Sequence, residues 1–151
     1  MSLKVEDIMA NTVITIEERG TVREAAELMS KHDIGCLIVE KKGKPIGIIT
    51  ERDMLRRVIL DVVDPVFTKA YEIMSKPLIS GKLGMSIEEA SNFMREKEIK
   101  KLPIIENGHV VGLVTTTDFV RSPQVIKVMI NRIKRQIFND ILTTIKAKLE
   151  L

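Results

Sequence analysis

Two stretches decide how this chain folds: Gly47-Ile48-Ile49-Thr50-Glu51-Arg52-Asp53 and Gly112-Leu113-Val114-Thr115-Thr116-Thr117-Asp118. In each, a glycine opens an apolar run of strand length that passes straight into Thr-x-x-Asp. A hydroxyl and an acid three residues apart satisfy the first open N–H groups of a helix, so a strand should turn into a helix at Thr50 and again at Thr115. The same pattern has a second use. An ionised Asp only accepts hydrogen bonds and can hold both hydroxyls of a ribose, the Thr adds an adaptable hydroxyl, and a helix start suits phosphate. On the motif alone, the capping reading and the nucleoside reading both stay open.

The two stretches belong to a longer internal repeat in which residue n of the first copy corresponds to n + 65 of the second. Ile8-Met9 returns as Ile73-Met74, Ile14 as Ile79, Glu24-Ala25 as Glu89-Ala90 and Met29 as Met94. Ile34 returns as Ile99, Leu37 as Leu102, Gly43 as Gly108, and the Gly, Thr and Asp of the motif follow without a gap. Two copies are too few for a solenoid and suit two half-modules packed about a pseudo-twofold axis.

Each copy reads alike. Thr21-Val-Arg-Glu24 and Ser86-Ile-Glu-Glu89 are capping boxes, which predict helices from about 22 and 87. Val22, Ala25, Ala26 and Met29 recur at helical spacing, as do Ile87, Ala90, Phe93 and Met94, so one face of each helix is buried. Apolar runs at Gly35 to Val39 and Leu102 to Ile105 lead to the turn pairs Lys42-Gly43 and Asn107-Gly108, then to strands at Pro45 to Ile49 and Val110 to Val114. With short strands at Val13 to Ile16 and Leu78 to Ser80, each copy is β-α-β-β-α and the fold class is α+β. The expected division is a first motif over 1–60, a packed connector over 61–69, a second motif over 70–122 and a helical extension over 123–151.

The connector is too apolar for a flexible linker: Val58, Ile59, Leu60, Val62, Val63, Val66 and Phe67 predict packed helix plus turn around Pro65. Beyond Pro123, Ile126, Ile130, Ile133, Ile137, Ile141, Ile145 and Leu149 form a stripe that predicts one long amphipathic helix. That stripe is read as a self-association surface, so a homodimer is expected. Arg132, Lys134, Arg135, Lys146 and Lys148 are read as its solvated face; nucleic-acid binding is the weaker alternative, without a recognition helix or aromatic platform to carry it.

Composition bounds the rest. The 151 residues are 44% hydrophobic and 30% charged with a net charge of +3, which favours no polyanionic partner. Aromatic residues are 3% and Trp is absent, so the core is Ile, Val, Leu and Met. One cysteine, Cys36, excludes an internal disulfide and a thiolate metal cluster, and its apolar strand makes it an inert buried thiol. His32 and His109 read as surface residues, and no metal is expected. No apolar run is long enough to span a bilayer, and the N-terminus lacks a secretory core; the chain reads as cytoplasmic, with no membrane partner.

The whole string, Gly-apolar-apolar-Thr-x-x-Asp repeated inside matching units, with Leu102-Pro103-Ile104-Ile105 as the strand before it, resembles the CBS-domain signature. The resemblance covers about residues 3 to 121 and implies a tandem CBS pair, or Bateman module. It implies two clefts, each drawing on both copies, that take AMP, ADP, ATP or an S-adenosyl compound as a regulatory ligand, with no obligatory cofactor. Carried onto this sequence, one cleft uses Thr115, Thr117 and Asp118 with Asn11, Thr12, Ile16, Ile34, Gly35 and Cys36. The other uses Thr50, Arg52 and Asp53 with Lys76, Pro77, Gly81, Ile99, Lys100 and Lys101.

The copies also differ. The first has Gly35-Cys-Leu-Ile-Val where the second has Lys100-Lys-Leu-Pro-Ile, so the cleft with Arg52, Lys76, Lys100 and Lys101 carries positive charge for a phosphate tail and the other is near neutral. Different affinities or ligands are expected. No nucleophile, base and orienting group assemble, so the chain is not expected to be an enzyme. It reads as a sensor whose state an unidentified partner protein reads out, against the alternative of a ligand-free dimerisation module.

Overall fold

The computed structural model describes residues 2–149. After a 3-10 turn at Val5–Asp7, the first repeat runs β1 (Thr15–Glu17), α1 (Val22–His32), β2 (Cys36–Lys41), β3 (Lys44–Thr50) and α2 (Glu51–Asp53), which continues as a π-helical stretch over Met54–Ile59. The second runs α3 (Ala70–Ile73), α4 (Ile87–Glu96), β4 (Lys101–Glu106), β5 (His109–Thr115) and α5 (Thr116–Arg121), and α6 (Pro123–Leu149) closes the chain. Both hairpins turn where expected, with Lys42-Gly43 and Asn107-Gly108 at positive φ. Both capping boxes form at Thr21 and Ser86.

What joins the repeats is an exchange of their leading segments. Val5 is fully buried among Ala90, Met94, Leu102, Ile104 and Val114 of the second repeat, and its counterpart Ala70 is fully buried in the core of the first. The backbone pairings are reciprocal: Ala10 bridges Leu113 while Ser75 bridges Ile48, and Lys4 bridges Ser86 while Lys69 bridges Thr21. Each pair maps onto the other under n + 65, the pattern that a twofold contact imposes. The repeats also touch through β3 and β5.

Two expectations need correction. The strand expected at Leu78 to Ser80 does not form, and the second sheet has two strands where the first has three. In the first repeat Ile38 N donates to Ile14 O at 3.2 Å. Its counterpart is Pro103, which has no N–H to offer Ile79, so only Gly81 pairs, donating to Pro103 O at 2.8 Å and accepting from Ile105 N at 3.0 Å. The connector, expected to be packed, is held by its backbone instead. Val22 N donates to Thr68 O and Arg23 N to Pro65 O. Val63 packs on the first core, but Val62 is 87% and Phe67 79% exposed.

The helix from Pro123 forms as the stripe predicted. Val125 is buried and Arg132 pairs with Glu88, which ties the first turns to the second repeat. Beyond that anchor Ile130, Ile133, Ile137, Ile141, Ile145 and Leu149 are all exposed in the single chain.

The exchange makes the motif glycines packing positions. A Cβ at Gly47 would lie 2.6 Å from Met74 Sδ and 2.9 Å from Ser75 O, whereas the three atoms nearest to one at Gly112 all belong to the side chain of Met9. A backbone oxygen yields less than a thioether, so Gly47→Ala should destabilise by about 1–3 kcal/mol and Gly112→Ala by less. Urea denaturation of both variants checks this; equal losses would contradict the ranking, and no loss at either would contradict the exchanged packing.

Candidate functional site

Each motif Asp sits where one repeat's β-strand enters its helix and the other repeat's leading segment arrives. Asp53 is 6% exposed and both its oxygens are taken. Its Oδ2 accepts from Thr50 N at 2.9 Å and Thr50 Oγ1 at 3.1 Å, and its own N–H donates to Thr50 Oγ1 at 3.3 Å. Its Oδ1 accepts from Ser75 Oγ at 2.9 Å and faces Arg57 Nη1 at 3.8 Å. Arg57 in turn donates to the carbonyls of Ile73 at 2.9 Å and Met74 at 2.7 Å. The capping use of the motif is therefore realised here, extended into a buried latch between α2 and the arriving segment. A carboxylate so enclosed is held by hydrogen bonds from three neutral donors and by the nearby guanidinium charge, so both oxygens are engaged.

Asp118 is built differently. Oδ2 accepts from Thr115 N at 2.7 Å and Thr115 Oγ1 at 3.1 Å, as in the first copy. Oδ1 has no protein partner among the described residues. The counterpart of Ser75 is Ala10, and that of Arg57 is Ser122, whose hydroxyl turns to Gln124. Since no buried side-chain oxygen or nitrogen is left without a partner, this oxygen reaches solvent.

Of the expected residues, the two motifs themselves stand at these places, and the others are distributed around them. The pairing of Ala10 with Leu113 is antiparallel, so exposed Asn11 and Thr12 run on toward Gly112 and Val111 and away from Thr115, while Thr117 is exposed on the first turn of α5. The equivalent pairing of Ser75 with Ile48 likewise runs exposed Lys76 and Pro77 toward Gly47 and Ile46, while Arg52 is exposed on α2. Lys101 crosses between repeats: a Cβ at Gly35 would lie 3.3 Å from its Nζ and 3.5 Å from Glu51 Cδ. By backbone, however, Lys100 and Lys101 belong beside Thr115 and Thr116, Lys101 pairing with Thr115 and Lys100 O accepting from Thr116 N at 3.0 Å. Gly35 and Cys36 likewise lie beside Glu51 and Thr50. Ile16 and Gly81 are buried within their sheets, so Ile16 has its side chain in the core of the first repeat. Ile99 packs against the core of the second, and Ile34 lines a groove of about 350 Å³ between α1 and the π-helical stretch that holds none of the other expected residues.

Sequence reasoning missed Ser75 and Arg57. The signal was present, since aligning the repeats sets Ser75 against Ala10 and Arg57 against Ser122. Glu51 was missed as well. His32 and His109 are exposed. Among the described residues, no helix is long and apolar enough to cross a membrane.

A tandem pair of repeats sharing an α-β-β-α order, with exchanged leading segments and a Thr-x-x-Asp at each strand-to-helix junction, defines a class of protein, and comparison with known proteins gives the family. The CBS domain family matches residues 5–60 and 70–124, and the chain belongs to it as a tandem CBS pair. It is 37% identical over 114 residues to the CBS domain-containing protein YhcV of Bacillus subtilis, covering 76% of this chain and 81% of that one. It is 33% identical to the inosine-5'-monophosphate dehydrogenase of Bifidobacterium longum, covering 79% of this chain but only 22% of the enzyme. The fold superposes on that of a hexameric CBS-CP12 protein from bloom-forming cyanobacteria with a TM-score of 0.77 at 29% identity, covering 83% of this chain and 71% of that one. Tandem CBS pairs are generally regulatory, alone or as part of a longer protein.

Cys36 lies at the junction of the repeats, buried beneath this site. Burial pushes its thiol above the usual range; Lys101 opposes this and Glu51 adds to it. A thiol held protonated and covered is a poor nucleophile. At pH 8 the native protein should react with a disulfide reagent at least ~10-fold more slowly than the urea-unfolded chain. The unfolded thiol ionises first, so stability should fall as pH rises above ~8.5, and this component should vanish in Cys36→Ala. Rapid labelling of the native protein would contradict both.

Proposed function

We propose that this chain is a regulatory module that binds an adenosyl compound, AMP, ADP, ATP or an S-adenosyl compound, between its two CBS repeats. The observation that carries the reading is the paired hydroxyl and carboxylate of Thr115 and Asp118, with one carboxylate oxygen open at the strand end where the other repeat's leading segment pairs, Ala10 on Leu113. An acceptor-only group at a junction of two units suits the vicinal hydroxyls of a ribose, and it gives the ligand a grip on both units at once. A ligand that touches both repeats can bias how they pack, which is what a regulatory readout requires.

The output runs through α6 in this reading. The helix is anchored to the second repeat through Val125 and the Arg132–Glu88 pair, and its apolar stripe is exposed from Ile126 to Leu149. A second copy covers that stripe, making the protein a homodimer, and a separate protein in the cytoplasm reads the ligand state. The ligand needs no catalytic group, and the module acts without chemistry of its own.

A second reading has one observation in its favour: Asp53 is wholly engaged in holding the fold together, which is what a ligand-free dimerisation module needs. The two readings part on a titration. AMP, ATP and S-adenosylmethionine are each added to millimolar concentration and followed by calorimetry and thermal melting. Binding by at least one should raise the melting temperature in proportion to the logarithm of ligand concentration, and Asp118→Ala should abolish the rise. No heat and no shift with all three would leave the dimerisation module as the function.

A further inference from the structure

We infer that the two clefts are not equivalent: the Asp118 cleft is the one open adenosyl site, and the Asp53 cleft is sealed by Ser75 and Arg57. The inference rests on the adenosyl-binding reading above and goes beyond it by assigning the ligand to one side. It also reverses the expectation from charge, which gave the Asp53 cleft, with Arg52 and Lys76, the better claim on a phosphorylated ligand.

The difference lies in one carboxylate oxygen. In both copies the threonine of the motif takes Oδ2 with a backbone and a hydroxyl donor, so Oδ1 is what remains for a ribose. At Asp53 that oxygen already accepts from Ser75 Oγ at 2.9 Å and faces the Arg57 guanidinium at 3.8 Å, and the residue is 6% exposed. At Asp118 the corresponding positions are Ala10 and Ser122, and neither reaches it. A methyl replaces one donor, and the helix differs where the other would stand. The first repeat turns π-helical over Met54–Ile59, the stretch that carries Arg57, while Thr116–Arg121 is ordinary α-helix. Π-helical turns often mark sites with a special task, and here the task is to bring Arg57 onto the carbonyls of Ile73 and Met74 with Asp53 alongside.

A ligand entering the Asp53 cleft must displace a hydroxyl hydrogen bond to a charged group and withdraw the carboxylate from its guanidinium. Hydrogen bonds to charged groups are strong enough that this should weaken binding there by at least ~10-fold relative to Asp118. The sealed carboxylate then serves as a fixed hinge pin between the repeats, while the open one senses.

Isothermal titration of the full chain with AMP, ATP and S-adenosylmethionine in turn tests this, with three variants beside the wild type. The wild type should bind one equivalent per chain. Asp118→Asn, which keeps the shape of the side chain, should weaken that site by at least ~10-fold. Ala10→Ser sets a hydroxyl at an exposed position where the second copy has Ser75, and should weaken it too, even if Asp118→Asn proves unfolded by its melt. Ser75→Ala should leave the first equivalent unchanged. Two equal sites per chain, or a single site that survives both Asp118→Asn and Ala10→Ser, would overturn the asymmetry while leaving adenosyl binding intact. No heat with any of the three ligands would overturn the adenosyl reading itself.

Discussion

Everything in this fold depends on the exchange of leading segments between the two repeats. A half-module of two or three short strands and two helices leaves part of its core uncovered, and below about 60 residues such a unit is marginal on burial alone. Each repeat closes its core with the other's leader, Val5 against Leu102, Ile104 and Val114, and Ala70 and Ile73 against Leu37, Val39 and Ile49. Neither half is complete without the leading segment of the other.

The same constraint builds the clefts. A leader that pairs antiparallel with the last strand of the other repeat, Ala10 with Leu113 or Ser75 with Ile48, arrives beside the end of the strand from which the motif helix starts. The motif glycines, Gly47 and Gly112, exist because the leader's methionine lies against them. Cleft and core are one device: a change in how the leader sits alters both, and this gives a small molecule bound at the junction leverage over the whole pair.

The repeat, the capping boxes, the hairpin turns and the long C-terminal helix were legible because each rests on local chemistry: an acid three residues from a hydroxyl, a glycine or asparagine in a turn, a stripe at helical spacing. What was not legible depends on contacts across the chain. Leu78 to Ser80 has the composition of a strand, and only its facing partner, Pro103, denies it the ladder. The connector's apolar residues suggested burial, yet it is held by main-chain bonds to α1 that no side chain announces. At the site, the motif showed a carboxylate in each repeat but not that one is latched and the other open. That distinction lay in Ser75 against Ala10 and Arg57 against Ser122, differences at positions outside the motif. The two sites were read by their charge, and the geometry of one oxygen proved the more informative.

The exchange is tested most directly by amide hydrogen exchange on the full chain and on a chain lacking residues 1–10. If the leaders are exchanged, removal of Val5, Ile8 and Met9 should strip protection from β4, β5 and α4 of the second repeat while β2 and β3 of the first retain theirs. Protection lost from the first repeat instead, or unchanged in both, would contradict the account.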